Sequence, residues 1–351
     1  MNSIKHTLLK SILSVFKYTK IHWLLKPVYR GKGVILVLHR VLPVSTEARI
    51  GANSRIEITP QFLKDLILFF QKKRYDIISL DEMYNRISGD KKQCPFVCFT
   101  FDDGYADAHE IIQPIFKHYQ CPYAVYIATA FPEGDITLWW YMLEDLVLNH
   151  ENVAFTCQGK SYVFSTVQPK DKEQAYTDIR NLILNASKSQ QPEVISSIFT
   201  PYGIKAENYA DQQLNWNQII ELANDPLVTI GAHTVNHLKL NQLTADEAYK
   251  EIKNSKIRLE DKIGRQVHHF SYPFGGRNEA GKREFKIAHK CGFHTMTTVR
   301  EGAIFPAHRH CCECLPRLEI TGRHQDLTLV DMRLCGLVTL LRNGFSRVVS
   351  A

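Results

Sequence analysis

The sequence predicts an α/β fold in which repeated strand and helix units close into a barrel. Short apolar runs with the composition of buried strands alternate with longer amphipathic stretches over most of the chain. Several of these runs end in polar residues suited to chemistry. Serial strand-helix units imply a parallel sheet, and a site fed by several strand ends favours a barrel over an open sheet.

The elements follow in order. Residues 34–38 read as the first strand. Thr59 caps a helix opening at Pro60, a residue whose fixed φ and missing N–H suit a first helical turn. Residues 96–101 form the next strand, and a helix after it leads to Tyr119. Further strands are expected at 123–128, 228–230, 268–272 and 294–298. Between the last three lie a helix over about 245–263, capped by Thr244 and stopped by Gly264, and another ending near Gly292. Residues 131–215 break the rhythm, being polar and mostly helical in pattern, with a strand series only over 153–164; they read as an insertion. Trp139-Trp140-Tyr141 near its start offers ring faces for a ligand or anchors for a core.

With 44% hydrophobic and 23% charged residues among 351, the composition is that of a globular protein able to bury a large core. The net charge of +7 is spread along the chain rather than gathered in a basic stripe, which argues against a nucleic-acid partner. Nine cysteines without regular spacing fit a reducing compartment better than a disulfide framework. Residues 1–30 are basic and amphipathic, but Lys10 and Lys17 interrupt the apolar run and no small-residue cleavage site follows, so no signal peptide is expected. No run approaches the roughly 20 apolar residues that span a bilayer. The segment suits an interfacial helix on an anionic leaflet, or equally one packed on the domain. A barrel domain over 31–325 and a C-terminal amphipathic helix over 326–351, with an apolar stretch at 334–341, complete the division. The expected location is cytoplasmic, with peripheral contact at the inner membrane face; oligomeric state is not legible.

Phe101-Asp102-Asp103-Gly104 closes one apolar run, and His233-Thr234-Val235-Asn236-His237 follows another. Two imidazoles and a carboxylate satisfy one zinc-like ion and leave a coordination position open for water, the pattern of a hydrolytic site. Side chains of successive strand residues alternate, so one aspartate can bind metal while Asp102 stays free to act as a base. Gly104 permits a sharp turn or a close backbone approach. His233 and His237 are four apart, which puts both rings on one face if a helical turn begins there, and the Thr234 hydroxyl can tie the loop. Alternatively, Asp-Asp-Gly is a solvated turn or a phosphoacceptor.

A third strand ends in Ser271-Tyr272-Pro273-Phe274-Gly275-Gly276. Together and in this order the three motifs resemble the polysaccharide deacetylase (NodB-like) family of metal-dependent carbohydrate esterases. The resemblance runs from about residue 39 to 320, with 131–215 poorly matched. It implies a distorted (β/α) barrel holding one divalent ion, most simply zinc, with cobalt, nickel or manganese as alternatives. Asp103, His233 and His237 become the metal ligands, Asp102 the general base, and the backbone at Phe274 the donor to the oxyanion. Many family members carry an arginine just before the proline turn to orient the base. Here Ser271 or Tyr272 stands there, and Arg317 is the candidate replacement. The family's C-terminal Leu-x-His is also absent. Val37-Leu38-His39-Arg40-Val41 resembles instead the first-strand histidine of the subgroup that deacetylates poly-N-acetylglucosamine, which makes His39 the candidate general acid. Tyr105 and Tyr272, beside these motifs, are the substrate-binding candidates.

The implied activity is removal of an N-acetyl group from an amino sugar in a polysaccharide or glycolipid precursor, by hydrolysis of a non-peptide carbon–nitrogen bond that releases acetate. A noncatalytic carbohydrate-binding relative is the alternative, motivated by the missing motif arginine. Phosphoryl transfer from the Asp102-Asp103 pair leaves both histidines unexplained. His308-Arg309-His310-Cys311-Cys312-Glu313-Cys314 suggests a zinc knuckle, but its spacing matches no paired pattern.

Overall fold

The computed structural model describes residues 29–89, 93–336, 339, 343 and 346–349. All but the last two residues of the basic N-terminal segment, and half of the apolar stretch at 334–341, fall outside the described residues. In chain order the strands are β1 (Gly33–Leu38), β2 (Arg40–Val41), β3 (Glu57–Ile58), β4 (Asp76–Ile77), β5 (Phe96–Phe101), β6 (Tyr123–Ile127), β7 (Asn152–Cys157), β8 (Lys160–Ser165), β9 (Val228–Ala232), β10 (His269–Ser271), β11 (Thr295–Glu301) and β12 (Leu315–Glu319). Seven of them run parallel in the order β1-β12-β11-β10-β9-β6-β5. β5 pairs back with β1 and closes the ring, while β4 flanks β5 at its start.

Strand alternation decides what faces where. β1 and β5 pair in continuous register from Gly33↔Phe96 to Leu38↔Phe101. Val34, Leu36 and Leu38 of β1, with Val97, Phe99 and Phe101 of β5, pack outward with Phe62, Leu63, Leu66, Ile67 and Phe70 of the helix Pro60–Lys72. Thr59 caps that helix by accepting from the Phe62 N–H at 3.1 Å. Ile35, Phe96 and Cys98 belong to a separate core with Ala124, Tyr126 and Leu315. Thr100 and Asp102 continue the Cys98 face by the period of two.

The helix Ala245–Ile263 has a Thr244–Glu247 capping box and ends at Gly264 in the left-handed region. The helix ending at Tyr119 begins as a π-helical stretch, Ala108–Ile112, before turning α-helical at Gln113. β12 is absent from the sequence-derived set because Pro316 lies inside it, and proline lowers a run's standing as a strand.

Between β6 and β9 the chain leaves the barrel. The helices Trp139–Asn149, Pro169–Asn185 and Gln191–Phe199 and the antiparallel hairpin β7/β8 build a core of their own around Leu143, Val153, Phe155, Ile179 and Ile198. Buried polar contacts fasten this unit to the segment that runs from β2 to β3. Glu144 accepts from Arg49 at 3.0 Å, from the Ile50 N–H at 2.6 Å and from Asn53 at 2.8 Å. Tyr176 donates to Asn53 at 2.8 Å, and Tyr141 to Glu57 at 2.7 Å. Among the described residues no helix is long and apolar enough to cross a membrane.

Candidate active site

The chemistry gathers at the C-terminal ends of the barrel strands, the face where loops of such barrels carry function. β5 delivers Asp102 and Asp103, β9 delivers His233, β10 leads to Phe274, and β1 ends beside His39. A cleft of about 1120 Å³ opens over them, walled on one side by the insertion; His39, Asp102, Asp103, His233, His237 and Phe274 all line it.

Asp103 Oδ1 lies 3.3 Å from His233 Nε2 and 3.2 Å from His237 Nε2. One donor atom from each residue falls within 4.8 Å of the others, and no other such group occurs among the described residues. His233 Nδ1 is 2.7 Å from the Ser271 carbonyl. A carbonyl only accepts, so Nδ1 carries the proton and the Nε2 lone pair is left for a ligand. Two imidazoles and a carboxylate, pre-aimed and nearly sealed from bulk water, fit a divalent transition metal. Burial pushes the Asp103 carboxyl up, but His237 and His233 outweigh it and hold the group well below its ordinary range.

His233 and His237 do not share a helical turn; they stand on a bent loop. Thr234 at φ 65° and His237 at φ 50° are left-handed, which turns the chain back so that the two rings sit 5.0 Å apart. The His237 N–H donates to Thr234 Oγ1 at 3.1 Å, and Glu251 accepts from the Asn236 N–H at 2.8 Å and from its Nδ2 at 2.6 Å. Of the seven non-glycine residues with positive φ among the described residues, four stand here: Asp103, Thr234, His237 and Phe274. Strain of about 1–3 kcal/mol each marks a functional geometry that the surroundings impose. Gly104, at φ 95°, supplies the turn behind Asp103.

Asp102 faces Arg317 from β12. The guanidinium donates to Asp102 Oδ1 at 2.7 Å and Oδ2 at 2.6 Å, to Thr100 Oγ1 at 3.0 Å, to Ser271 Oγ at 2.9 Å and to the Thr298 carbonyl at 2.9 Å. All five of its N–H groups are thereby used. Ser271 Oγ also donates to Asp102 Oδ2 at 3.1 Å. Burial alone pushes the Asp102 carboxyl up; the Arg317 charge and hydrogen bonds, with smaller help from His233 and His39, hold it below the usual carboxylate range. Asp102 is therefore ionised at neutral pH. Thr100 and Ser271 were missed as its partners, although Thr100 shares its strand face by the period of two.

Phe274, at φ 61°, is followed by Gly275, where a Cβ would lie 2.9 Å from the Val299 nitrogen. Tyr105 is 2% exposed and lines the cleft; its hydroxyl and the Trp140 indole N–H find no hydrogen-bond partner among the described residues. Trp139 and Tyr141 are core residues, as one of the two expectations had it, while the half-buried Trp140 lies over His237 with ring centroids 6.5 Å apart. Tyr272 does not serve the substrate. It is fully buried and its hydroxyl donates to the Glu313 carbonyl at 2.9 Å, because the alternation that turns Ser271 toward Asp102 turns Tyr272 into the outer core. The cysteine cluster forms no knuckle among the described residues: its donors do not converge as those of Asp103, His233 and His237 do, and both ring nitrogens of His308 are spent on the backbone at Phe305 and Val349.

Comparison with known proteins follows the geometry. A family model described as polysaccharide deacetylase matches residues 89–296. A Bacillus subtilis (strain 168) relative, "Putative polysaccharide deacetylase YxkH", is 30% identical over 113 residues, covering 30% of this chain and 39% of its own length, so the chain matches well under half of that relative. Among solved structures, the Streptococcus pyogenes deacetylase PplD in complex with acetate superposes with TM-score 0.57 at 18% identity over 86% of this chain and 97% of its own. A de-N-acetylase from Aggregatibacter actinomycetemcomitans gives 0.55 at 14% identity, over 85% and 98%. IcaB from Ammonifex degensii gives 0.53 at 16% identity, over 85% and 96%. At these identities the likeness is one of fold.

Proposed function

The chain belongs to the polysaccharide deacetylase family, and from that premise we propose that it hydrolyses the N-acetyl group of an amino sugar in a polysaccharide or glycolipid precursor, leaving a free amine and releasing acetate. The observation that carries this is the Asp103-His233-His237 donor set beside an ionised, clamped Asp102. Zinc suits two imidazoles and one carboxylate best, with cobalt, nickel or manganese as substitutes. Bound there, the ion would supply a Lewis acid that polarises the acetamide carbonyl and acidifies a water.

The chain's own residues supply the rest. Asp102 Oδ2 already accepts from both Arg317 and Ser271, whereas Oδ1 accepts, among the described residues, only from Arg317, so Oδ1 keeps a lone pair for the proton of the attacking water. The Phe274 N–H, which takes no acceptor among the described residues, donates to the oxyanion. His39, lining the same cleft, returns a proton to the departing amine. Tyr105 contributes a hydroxyl to substrate binding. A noncatalytic role was motivated by an unfilled arginine position; the Arg317 grip on Asp102 removes that motive. The basic segment 1–30 supports a cytoplasmic protein in peripheral contact with an anionic membrane face.

Zinc-loaded protein is expected to release acetate from N-acetylhexosamine oligosaccharides or glycolipids. Asp102→Asn should slow release by about 10²–10⁴-fold while its circular dichroism stays that of the parent. Sugar binding without acetate release under every metal tried would leave only the noncatalytic reading.

A further inference from the structure

Beyond the metal donors, four basic side chains line the cleft: Arg55, Arg180, Lys188 and Arg323. Two are neutralised, Arg55 by Glu319 at 2.7 Å and Lys188 by Glu251 at 2.8 Å. Among the described residues Arg323 reaches only the Gly51 carbonyl, at 3.5 Å. Arg180 is half-buried and has no hydrogen-bond or carboxylate partner among the described residues. It belongs to the insertion helix Pro169–Asn185, from which Tyr176, Thr177, Arg180 and Leu184 all line the cleft; their spacing puts them on one helix face. Tyr176 is pinned beneath by its bond to Asn53, so the face is held in place. The same arm of the cleft continues over apolar residues: Leu184, Ile195, Phe199 and Ile204.

A guanidinium held on a cleft wall, with no hydrogen-bond or carboxylate partner among the described residues, is available to an anionic ligand. Its planar fork matches a phosphate, and phosphate bonds of this kind are among the stronger hydrogen bonds. The cleft is also larger than one sugar ring requires. We propose that the substrate is an acetylated amino sugar carrying a phosphate ester or diphosphate, seated by Arg180 with help from Arg323. The apolar arm beyond them takes the group on the far side of the phosphate, and the acetamide reaches the Asp103-His233-His237 end. This deepens the deacetylase reading and rests on it for the placement of the acetamide alone.

The test compares acetate release by zinc-loaded protein on neutral N-acetylglucosamine oligosaccharides, N-acetylglucosamine 1-phosphate, a nucleoside-diphosphate-linked N-acetylglucosamine and a polyprenyl-diphosphate-linked one in detergent. Phosphorylated sugars are expected to give kcat/KM about tenfold above neutral ones. Arg180→Ala should erase that advantage through KM, Arg180→Lys should restore part of it, and neither should change Tm, since no internal contact is lost. The better of the nucleoside and polyprenyl arms identifies the group beyond the phosphate. Equal rates on neutral and phosphorylated sugars, or an Arg180→Ala loss equal on both, overturns the proposal. Calorimetric binding of glucose 1-phosphate, which has no acetyl group, separates the two levels. Arg180-dependent binding without acetate release from any sugar sinks the deacetylase reading and keeps the anion site; no such binding sinks the anion site whatever the turnover.

Discussion

Two regions of the molecule handle buried charge differently. In the barrel interior, Arg317 is sealed from water and satisfied down to its last N–H, and it clamps Asp102 at the floor of the cleft. In the insertion, Arg180 stands half-buried with none of its donors used among the described residues. A complete network holds one geometry and serves catalysis through position, whereas an incomplete one in a cleft leaves its bonds for a ligand. The junction between the regions is of the first kind: Glu144, 3% exposed, collects donors from Arg49, Ile50 and Asn53.

Substitutions break or sharpen this contrast in descending order of effect. Asp103→Ala should abolish acetate release and bound zinc together, measured by turnover and elemental analysis; retained zinc would move the metal site elsewhere. Arg317→Met leaves Asp102 as an unpaired buried carboxylate and should cost about 3–5 kcal/mol in denaturant unfolding. A loss under 1 kcal/mol would mean the barrel pair is not the closed network described. Glu144→Ala strands its donors at the junction and should cost about 2–3 kcal/mol. Limited proteolysis should then cut the insertion first while the barrel persists; simultaneous loss of both would make them one cooperative unit. Val163→Thr, on the exposed face of the hairpin at 74% exposure, should leave stability within about 0.5 kcal/mol and acetate release unchanged.

Sequence patterns resolve the barrel better than the insertion, for physical reasons. Runs such as Phe96–Phe101 are buried on both faces and announce themselves as continuous apolar stretches. Asp102, Asp103, His233 and His237 were legible because they sit at strand ends in compact motifs. Arg317 could be suspected only because a role was unfilled: it comes from β12, which Pro316 disguises, and meets Asp102 across 215 positions of sequence. Tyr272 was misplaced because the turn motif gives residue types and not strand parity. The contacts of Glu144 and the isolation of Arg180 depend on how the insertion docks, and nothing in local periodicity encodes that.

The continuous pairing of β1 with β5, described above as architecture, also acts as error-proofing for the chemistry. The adjacent aspartates follow directly on β5: Asp102 continues the strand's inward face toward Arg317, and the left-handed Asp103 turns toward the two imidazoles. A slip of one residue in β5 would bring Phe101 or Asp103 to the place of Asp102 and leave one of the two jobs unfilled, while turning Phe99 and Phe101 inward. The six paired positions of that register oppose such a slip, and two chemically identical side chains keep separate identities.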